Sequence, residues 1–182
     1  DTPEQRAELD LSSWSLAFSG AEPVRAETVQ QFTEYFAPCG FRPEAFYPCY
    51  GMAEATLFIT GIKRTQTPTC ATFKSESLEQ NTVVPVEPAT ARDQDGDLRQ
   101  LIGCGLSSSS QHVTIVNPTT LEACAELEVG EIWASGPNIA KGYWNRPQQT
   151  EEAFNATVAT TGEGPFLRTG DLGFFKDGEL FV

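Results

Sequence analysis

From Trp14 to Phe18 the chain is mostly apolar and stops at Ser19-Gly20, the pattern of a short buried strand. Ala21-Glu22-Pro23 then opens a helical pattern. Pro23 suits a first helical turn, Glu22 suits the positive end of the helix dipole, and Val24, Thr28, Phe32 and Tyr35-Phe36 fall near helical spacing. Pro38 and Gly40 end that element. A second short strand is predicted over 45–50, followed by Gly51 and a short helix over 53–59. Strand–helix–strand–helix in this order is the grammar of an α/β layer.

After Gly61 the pattern changes. Residues 65–88 are rich in Thr, Pro and Glu with little apolar periodicity, so an irregular insertion or linker is expected there. Asp93-Gln94-Asp95-Gly96-Asp97 reads as a solvated acidic turn, because the EF-hand spacing and its closing Glu are missing. From Gln100 onward short alternating runs are divided by turns: 113–116, 131–134, and 172–182 around Asp177-Gly178, a strong hairpin signal. The expected fold is therefore α/β plus β, an α/β segment over 1–64, an insertion over 65–99 and a small, mostly β subdomain over 100–182. There are no internal repeats.

Charge and cysteine usage narrow the function classes. Acidic residues outnumber basic ones by 25 to 12, a formal net charge of -13. That balance argues against non-specific nucleic-acid or anionic-membrane binding, yet leaves room for one nucleotide pocket built from backbone N–H groups and a metal. No run is long and apolar enough for a membrane span. Five cysteines, none in a CxxC pair, read as free buried thiols in a reducing cytoplasm. His112, the lone histidine, is expected to face outward from a strand. The first residue is not Met, and the last residues stop inside an apolar alternating run, so the sequence reads as a piece of a longer chain.

Three segments carry candidate chemistry. At Ser19-Gly20-Ala21-Glu22-Pro23 a strand end meets a glycine and a helix start, where backbone can approach a flat ligand. Taken alone, a plain strand-to-helix turn is the preferred reading. Tyr50-Gly51-Met52-Ala53-Glu54 sets a ring, a glycine and a carboxylate at a strand's C-terminal end, where open α/β sheets bind ligands. Tyr50 suits stacking on a purine and Glu54 suits Mg2+, although a core aromatic and a helix-start Glu explain the same residues. Arg168-Thr169-Gly170-Asp171-Leu172 holds a carboxylate on a tight corner, suited to the two hydroxyls of a ribose or to an ordinary turn before a strand.

In order, these segments resemble the adenylate-forming superfamily of acyl-CoA synthetases, peptide-synthetase adenylation domains and luciferases. Tyr50-Gly51-Met52-Ala53-Glu54 is similar to that family's Tyr-Gly-x-Thr-Glu motif. Gly130-Glu131-Ile132-Trp133-Ala134 with Gly142-Tyr143-Trp144-Asn145-Arg146-Pro147, and then Arg168 to Leu172, resemble two more of its motifs. Gly20 to Arg25, Ala37 to Phe41 and Tyr47 to Thr56 look like the fatty acyl-AMP ligase branch, as does the insertion after Glu54.

The resemblance implies part of an enzyme's large N-terminal domain, an α/β layer beside a small distorted β-barrel. It implies that a fatty acid and ATP become acyl-AMP and pyrophosphate, and that the acyl group passes to an acyl-carrier protein. Carried over by position, Gly20, Ala21, Glu22 and Pro23 line the adenine pocket and Tyr50 stacks on adenine. Gly51 and Met52 edge the acyl and α-phosphate site, Ala53 belongs to the ATP-binding stretch, Glu54 binds Mg2+ and acts in catalysis, and Asp171 binds the ribose. Ala53 replaces the motif's usual Thr, and Pro48 stands where many relatives carry an adenine-reading Asn, so adenine contacts are expected mainly from backbone. A phosphate loop ending in Lys-Gly and a lid Lys are not found, so the chain by itself is expected to be inactive. The alternatives are an acyl-CoA synthetase and a non-catalytic domain that keeps the fold.

Overall fold

The computed structural model describes residues 3–87 and 97–182. A short helix α1 (Pro3–Ala7) precedes β1 (Ala17–Ser19), α2 (Ala26–Phe36) and β2 (Phe46–Tyr50). The first sheet has the order β1-β2-β3-β7, with β3 at Thr60–Gly61 and β7 at Leu106–Ser107. β1 and β2 are parallel, and the other two pairings are antiparallel. Val29, Phe32 and Phe36 turn one face of α2 onto buried Ala17, Phe41, Ala45 and Phe46. The sheet thus takes its fourth strand from beyond residue 64, so the segment predicted over 1–64 does not close its sheet alone.

α2 begins three residues beyond the predicted start at Pro23. Arg25 is extended (φ -86°, ψ 132°) and bridges Leu101, which holds residues before Ala26 out of helical geometry. The predicted helix over 53–59 is likewise only one 3-10 turn, Ala53–Ala55. Thr56 and Leu57 take positive φ (52° and 72°), which stops a helix there.

Residues 70–86, expected to be irregular, form β4 (Cys70–Lys74), α3 (Ser75–Glu79) and β5 (Pro85–Val86). β4 pairs antiparallel with β5 and with β6 (Leu98–Ile102). Within β4 only Phe73 is buried, so there is no alternation to read; its pairing with distant β6 makes it a strand. Phe73 packs edge-on against Phe174 and Phe181, which fastens this sheet to the β subdomain. Of the acidic turn at 93–97, all but Asp97 lies outside the described residues.

The C-terminal half is an antiparallel sheet of order β11-β10-β9-β8, comprising β8 (His112–Val116), β9 (Gly130–Ser135), β10 (Leu167–Lys176) and β11 (Glu179–Phe181). Asp177 and Gly178, both at positive φ, make the expected hairpin. Ile115, Ile132, Ala134, Leu167 and Leu180 share one core with Tyr50, Ala55 and Ile59 of the first segment, so both halves close on common apolar residues. Helix α4 (Pro147–Phe154) adds Phe154 to that core. His112 is exposed, as predicted. All five cysteines are free, but Cys39 and Cys104 alone are buried; Cys49 and Cys124 are half-buried and Cys70 is exposed. No helix among the described residues is long and apolar enough to cross a membrane.

Candidate functional site

β10 departs from its partner at one place. Arg168 sits opposite Trp133 and Leu172 opposite Glu131, so Thr169, Gly170 and Asp171 together face the single residue Ile132. A bulge of this kind re-aims side chains at a sheet's rim. Gly170 takes φ +76° at its crest. The bulge pushes Asp171 out of the ladder and toward β2, where the Tyr50 hydroxyl donates to Asp171 Oδ2 at 2.7 Å. Residues 121 apart in sequence thus meet at one hydrogen bond. Tyr50 is buried, and burial followed by the adjacent Asp171 carboxylate pushes its phenol above the ordinary range, so it stays a donor.

Glu131 and Arg168 hold the bulge in place. Glu131 is 5% exposed, and Arg168 donates to it from Nε (3.0 Å to Oε2) and Nη2 (2.8 Å to Oε2). The Gly170 N–H donates to Oε1 at 3.1 Å, and the Thr169 hydroxyl donates to the Ile132 carbonyl at 2.7 Å. The Arg168 guanidinium also lies 5.6 Å from the centre of the Trp133 ring. Burial raises the Glu131 carboxyl, but hydrogen bonds and charge from Arg168, with the Gly170 amide, outweigh it and hold the group below its ordinary range. The stability Glu131 supplies is therefore complete above the ordinary carboxylate pKa and is lost as pH falls through the lowered value. Thermal unfolding followed from about pH 7 to about pH 3 should show a steeper acid loss for the native protein than for Glu131→Gln.

The smaller of two adjoining cavities, about 170 Å³, is lined by Gly20 to Val24, Cys49, Tyr50, Gly51 and Asp171 among others. The structure thus brings the predicted Gly20, Ala21, Glu22, Pro23, Tyr50, Gly51 and Asp171 together. Gly20 is needed there because a Cβ would stand 2.3 Å from the Cys49 carbonyl oxygen. The same glycine loop borders the larger cleft, about 1130 Å³, with Met52, Leu57, Phe58, Phe18 and Phe46 on its walls. Burial raises the Cys49 thiol on the shared wall. It also pushes Cys104, on the smaller cavity, up to about 12, so that thiol is protonated near neutral pH.

Ala53 and Glu54 line neither cavity; they lie on the 3-10 turn just beyond. Glu54 accepts a hydrogen bond from the Tyr143 hydroxyl through Oε1 at 2.8 Å. Among the described residues no three His, Cys, Asp or Glu side chains gather to hold a metal by protein alone. A cation at Glu54 must share its shell with phosphate oxygens and water. This donor set fits Mg2+, which takes one or two carboxylates and keeps water and substrate phosphate.

Sequence reasoning gave Glu131, Arg168 and Tyr143 no role. A signal for Glu131 is present: a carboxylate at the head of the apolar run Ile132-Trp133-Ala134 must be paired if buried, and an Arg stands on the next strand.

A family description, AMP-binding enzyme, matches residues 1–144. The chain is 51% identical, over 181 residues and its whole length, to the medium-chain fatty acid–acyl-carrier-protein ligase JamA of Moorena producens, of which it covers 30%. Among solved structures it resembles the fatty acid AMP ligase of Legionella pneumophila at TM-score 0.88 and 41% identity, covering all of this chain and 30% of that one. The fatty acyl-adenylate ligase of the same organism, solved with acyl adenylate and pyrophosphate, matches at TM-score 0.87 and 41% identity over all of this chain and 31% of that one. The chain spans about a third of the length of the proteins it matches.

Proposed function

The chain belongs to the AMP-binding enzyme family, and on that premise we propose that it forms the adenylate-binding part of a fatty acyl-AMP ligase. The observation that carries this is the Tyr50–Asp171 hydrogen bond at a small cavity of mixed lining whose glycine wall continues into a large, mostly apolar cleft. Under this proposal a nucleoside occupies the first space and a fatty acid the second. In this reading Gly20, Ala21, Glu22 and Pro23 offer backbone and walls to adenine. Tyr50 lies against the base and orients Asp171, whose carboxylate accepts from the ribose hydroxyls. Gly51 and Met52 border the reacting carboxylate and α-phosphate, Ala53 carries the chain on to Glu54, and Glu54 holds Mg2+.

The reaction joins a carboxylate oxygen of the fatty acid to the α-phosphorus of ATP and breaks the α–β phosphoanhydride, releasing pyrophosphate. Bound Mg2+ supplies charge neutralisation on the phosphates. This chain's residues hold the nucleoside and aim the carboxylate, which lowers the barrier by fixing reactants before they react. The acceptor of the acyl group is then an acyl-carrier protein. We assign residues 1–64 to the α/β part, 65–99 to a ligase-type insertion and 100–182 to the ribose-binding β part. The free cysteines support a cytoplasmic setting.

The test uses the full-length enzyme with ATP, Mg2+ and fatty acids of increasing length, with and without coenzyme A, and products identified by mass. Acyl-AMP that accumulates and persists with coenzyme A is the expected result. Rapid acyl-CoA formation would instead make this an acyl-CoA synthetase, and no adenylate from any acid would remove the enzymatic reading.

A further inference from the structure

The loop before α4 is pinned from several sides. Gly142 takes φ +139°, and a Cβ there would stand 2.2 Å from Thr150 Cγ2, so the backbone lies directly on the helix. The Tyr143 N–H donates to Thr150 Oγ1 at 2.9 Å, and the Arg146 N–H donates to the Tyr143 carbonyl at 3.2 Å. The Tyr143 ring meets Phe154 edge-on with centroids 5.1 Å apart. A phenol anchored at its backbone and its ring has little freedom left. It spends its hydroxyl on Glu54, 89 residues away, at 2.8 Å.

The turn that carries Glu54 is clamped by the same loop. The Ala140 N–H donates to the Glu54 carbonyl at 2.7 Å. Asn138 Nδ2 donates to the carbonyls of Ala55 (2.7 Å) and Phe58 (2.9 Å), while the Thr56 hydroxyl donates to the Asn138 carbonyl at 2.6 Å. Those bonds close over Thr56 and Leu57 in their left-handed conformations. Both the backbone and the carboxylate of Glu54 are thus set from outside its own turn.

We propose that Tyr143 is a positioning residue for Glu54: its hydroxyl occupies Oε1 and leaves Oε2 aimed for the divalent cation that accompanies ATP. The inference rests on the reading of Glu54 as the metal-holding carboxylate. A carboxylate has room for a phenol on one oxygen and a cation on the other, and partners of this kind fix the orientation of metal-binding carboxylates. The ring contact with Phe154 does not need the hydroxyl, so Tyr143→Phe keeps the packing and removes the bond alone.

In the full-length enzyme, Tyr143→Phe should raise the Mg2+ concentration for half-maximal acyl-AMP formation by about tenfold. It should weaken Mn2+ binding to the enzyme–α,β-methylene-ATP complex, read by electron paramagnetic resonance, by the same factor. Fatty acid KM and melting temperature should not move. Glu54→Gln should weaken Mn2+ binding at least as far. Native Mn2+ affinity in Tyr143→Phe, with weakened affinity in Glu54→Gln, overturns the role of Tyr143 while the metal assignment stands. Native affinity in Glu54→Gln removes the metal assignment and the inference together. Tighter Mn2+ binding in Tyr143→Phe would show that the phenol competes with the cation, which also overturns the proposal.

Discussion

Asp171→Ala in the full-length enzyme is expected to lower kcat/KM for ATP by about 10²- to 10⁴-fold, from two lost charge-assisted hydrogen bonds at roughly 1.5–3 kcal/mol each. The bulge over Thr169, Gly170 and Asp171 sets this carboxylate at the cavity rim, and the buried Tyr50 hydroxyl fixes one of its oxygens. On the proposed role, replacement by Ala removes the acceptor for the ribose hydroxyls, and it leaves the Tyr50 hydroxyl without its Asp171 partner. Asp171→Asn keeps one carbonyl oxygen, so a smaller loss of about tenfold is expected. Tyr50→Phe should fall between Asn and the native protein, because it removes the orienting bond and not the acceptor. The decisive comparison is ATP against 2′-deoxy- and 3′-deoxy-ATP. The native enzyme should discriminate against the deoxy substrates, and Asp171→Ala should treat all three nearly alike. Equal discrimination in native and Asp171→Ala enzymes would remove Asp171 from the ribose site.

The sequence offers Tyr50, Gly51 and Asp171 as candidates, whereas the contacts that hold them are visible only in the fold. Taken singly, Tyr50 reads equally as a core aromatic and Asp171 as part of an ordinary turn, and only their order along the chain, through the family resemblance, singles them out. The hairpin at Asp177-Gly178 was equally plain, since two successive positive-φ positions favour that pair. The helix expected over 53–59 stops after one turn because the Glu54 and Ala55 carbonyls that would extend it accept from Ala140 and Asn138, more than eighty residues further on. β4 was missed for a related reason: its one buried side chain, Phe73, meets partners on β10 and β11. The start of α2 was set by a bridge from Arg25 to Leu101, again a long-range contact. Local pattern carried the elements whose energy is local. Elements whose hydrogen bonds are spent on distant segments could be placed only in three dimensions.

Gly51→Ala should destabilise the full-length enzyme by at least about 3 kcal/mol and abolish detectable adenylate formation, a larger effect than its single added methyl suggests. A Cβ on Gly51 would stand 1.9 Å from the Leu57 carbonyl oxygen, 2.6 Å from its carbon and 3.0 Å from the Phe58 Cα. All of these are backbone atoms, so no side-chain rotation relieves the clash. The backbone they belong to is the clamped turn, closed by Leu57 N–H to the Met52 carbonyl at 3.0 Å and by Ile59 N–H to the Tyr50 carbonyl at 2.9 Å. Moving it drags Glu54 away from Tyr143 and Leu57 and Phe58 away from the apolar cleft. Gly61 is the control on the neighbouring strand. Its added Cβ would meet the Tyr47 hydroxyl at 2.6 Å, Tyr47 Cε1 at 2.8 Å and the Phe58 ring edge at 2.9 Å, all of them side-chain atoms and none backbone. Gly61→Ala should therefore cost about 1 kcal/mol and keep most activity. Chemical denaturation of the two variants beside the native enzyme decides the matter. If Gly51→Ala unfolds at the native denaturant concentration, the turn yields freely, and a rigidly held Glu54 can no longer be part of the mechanism.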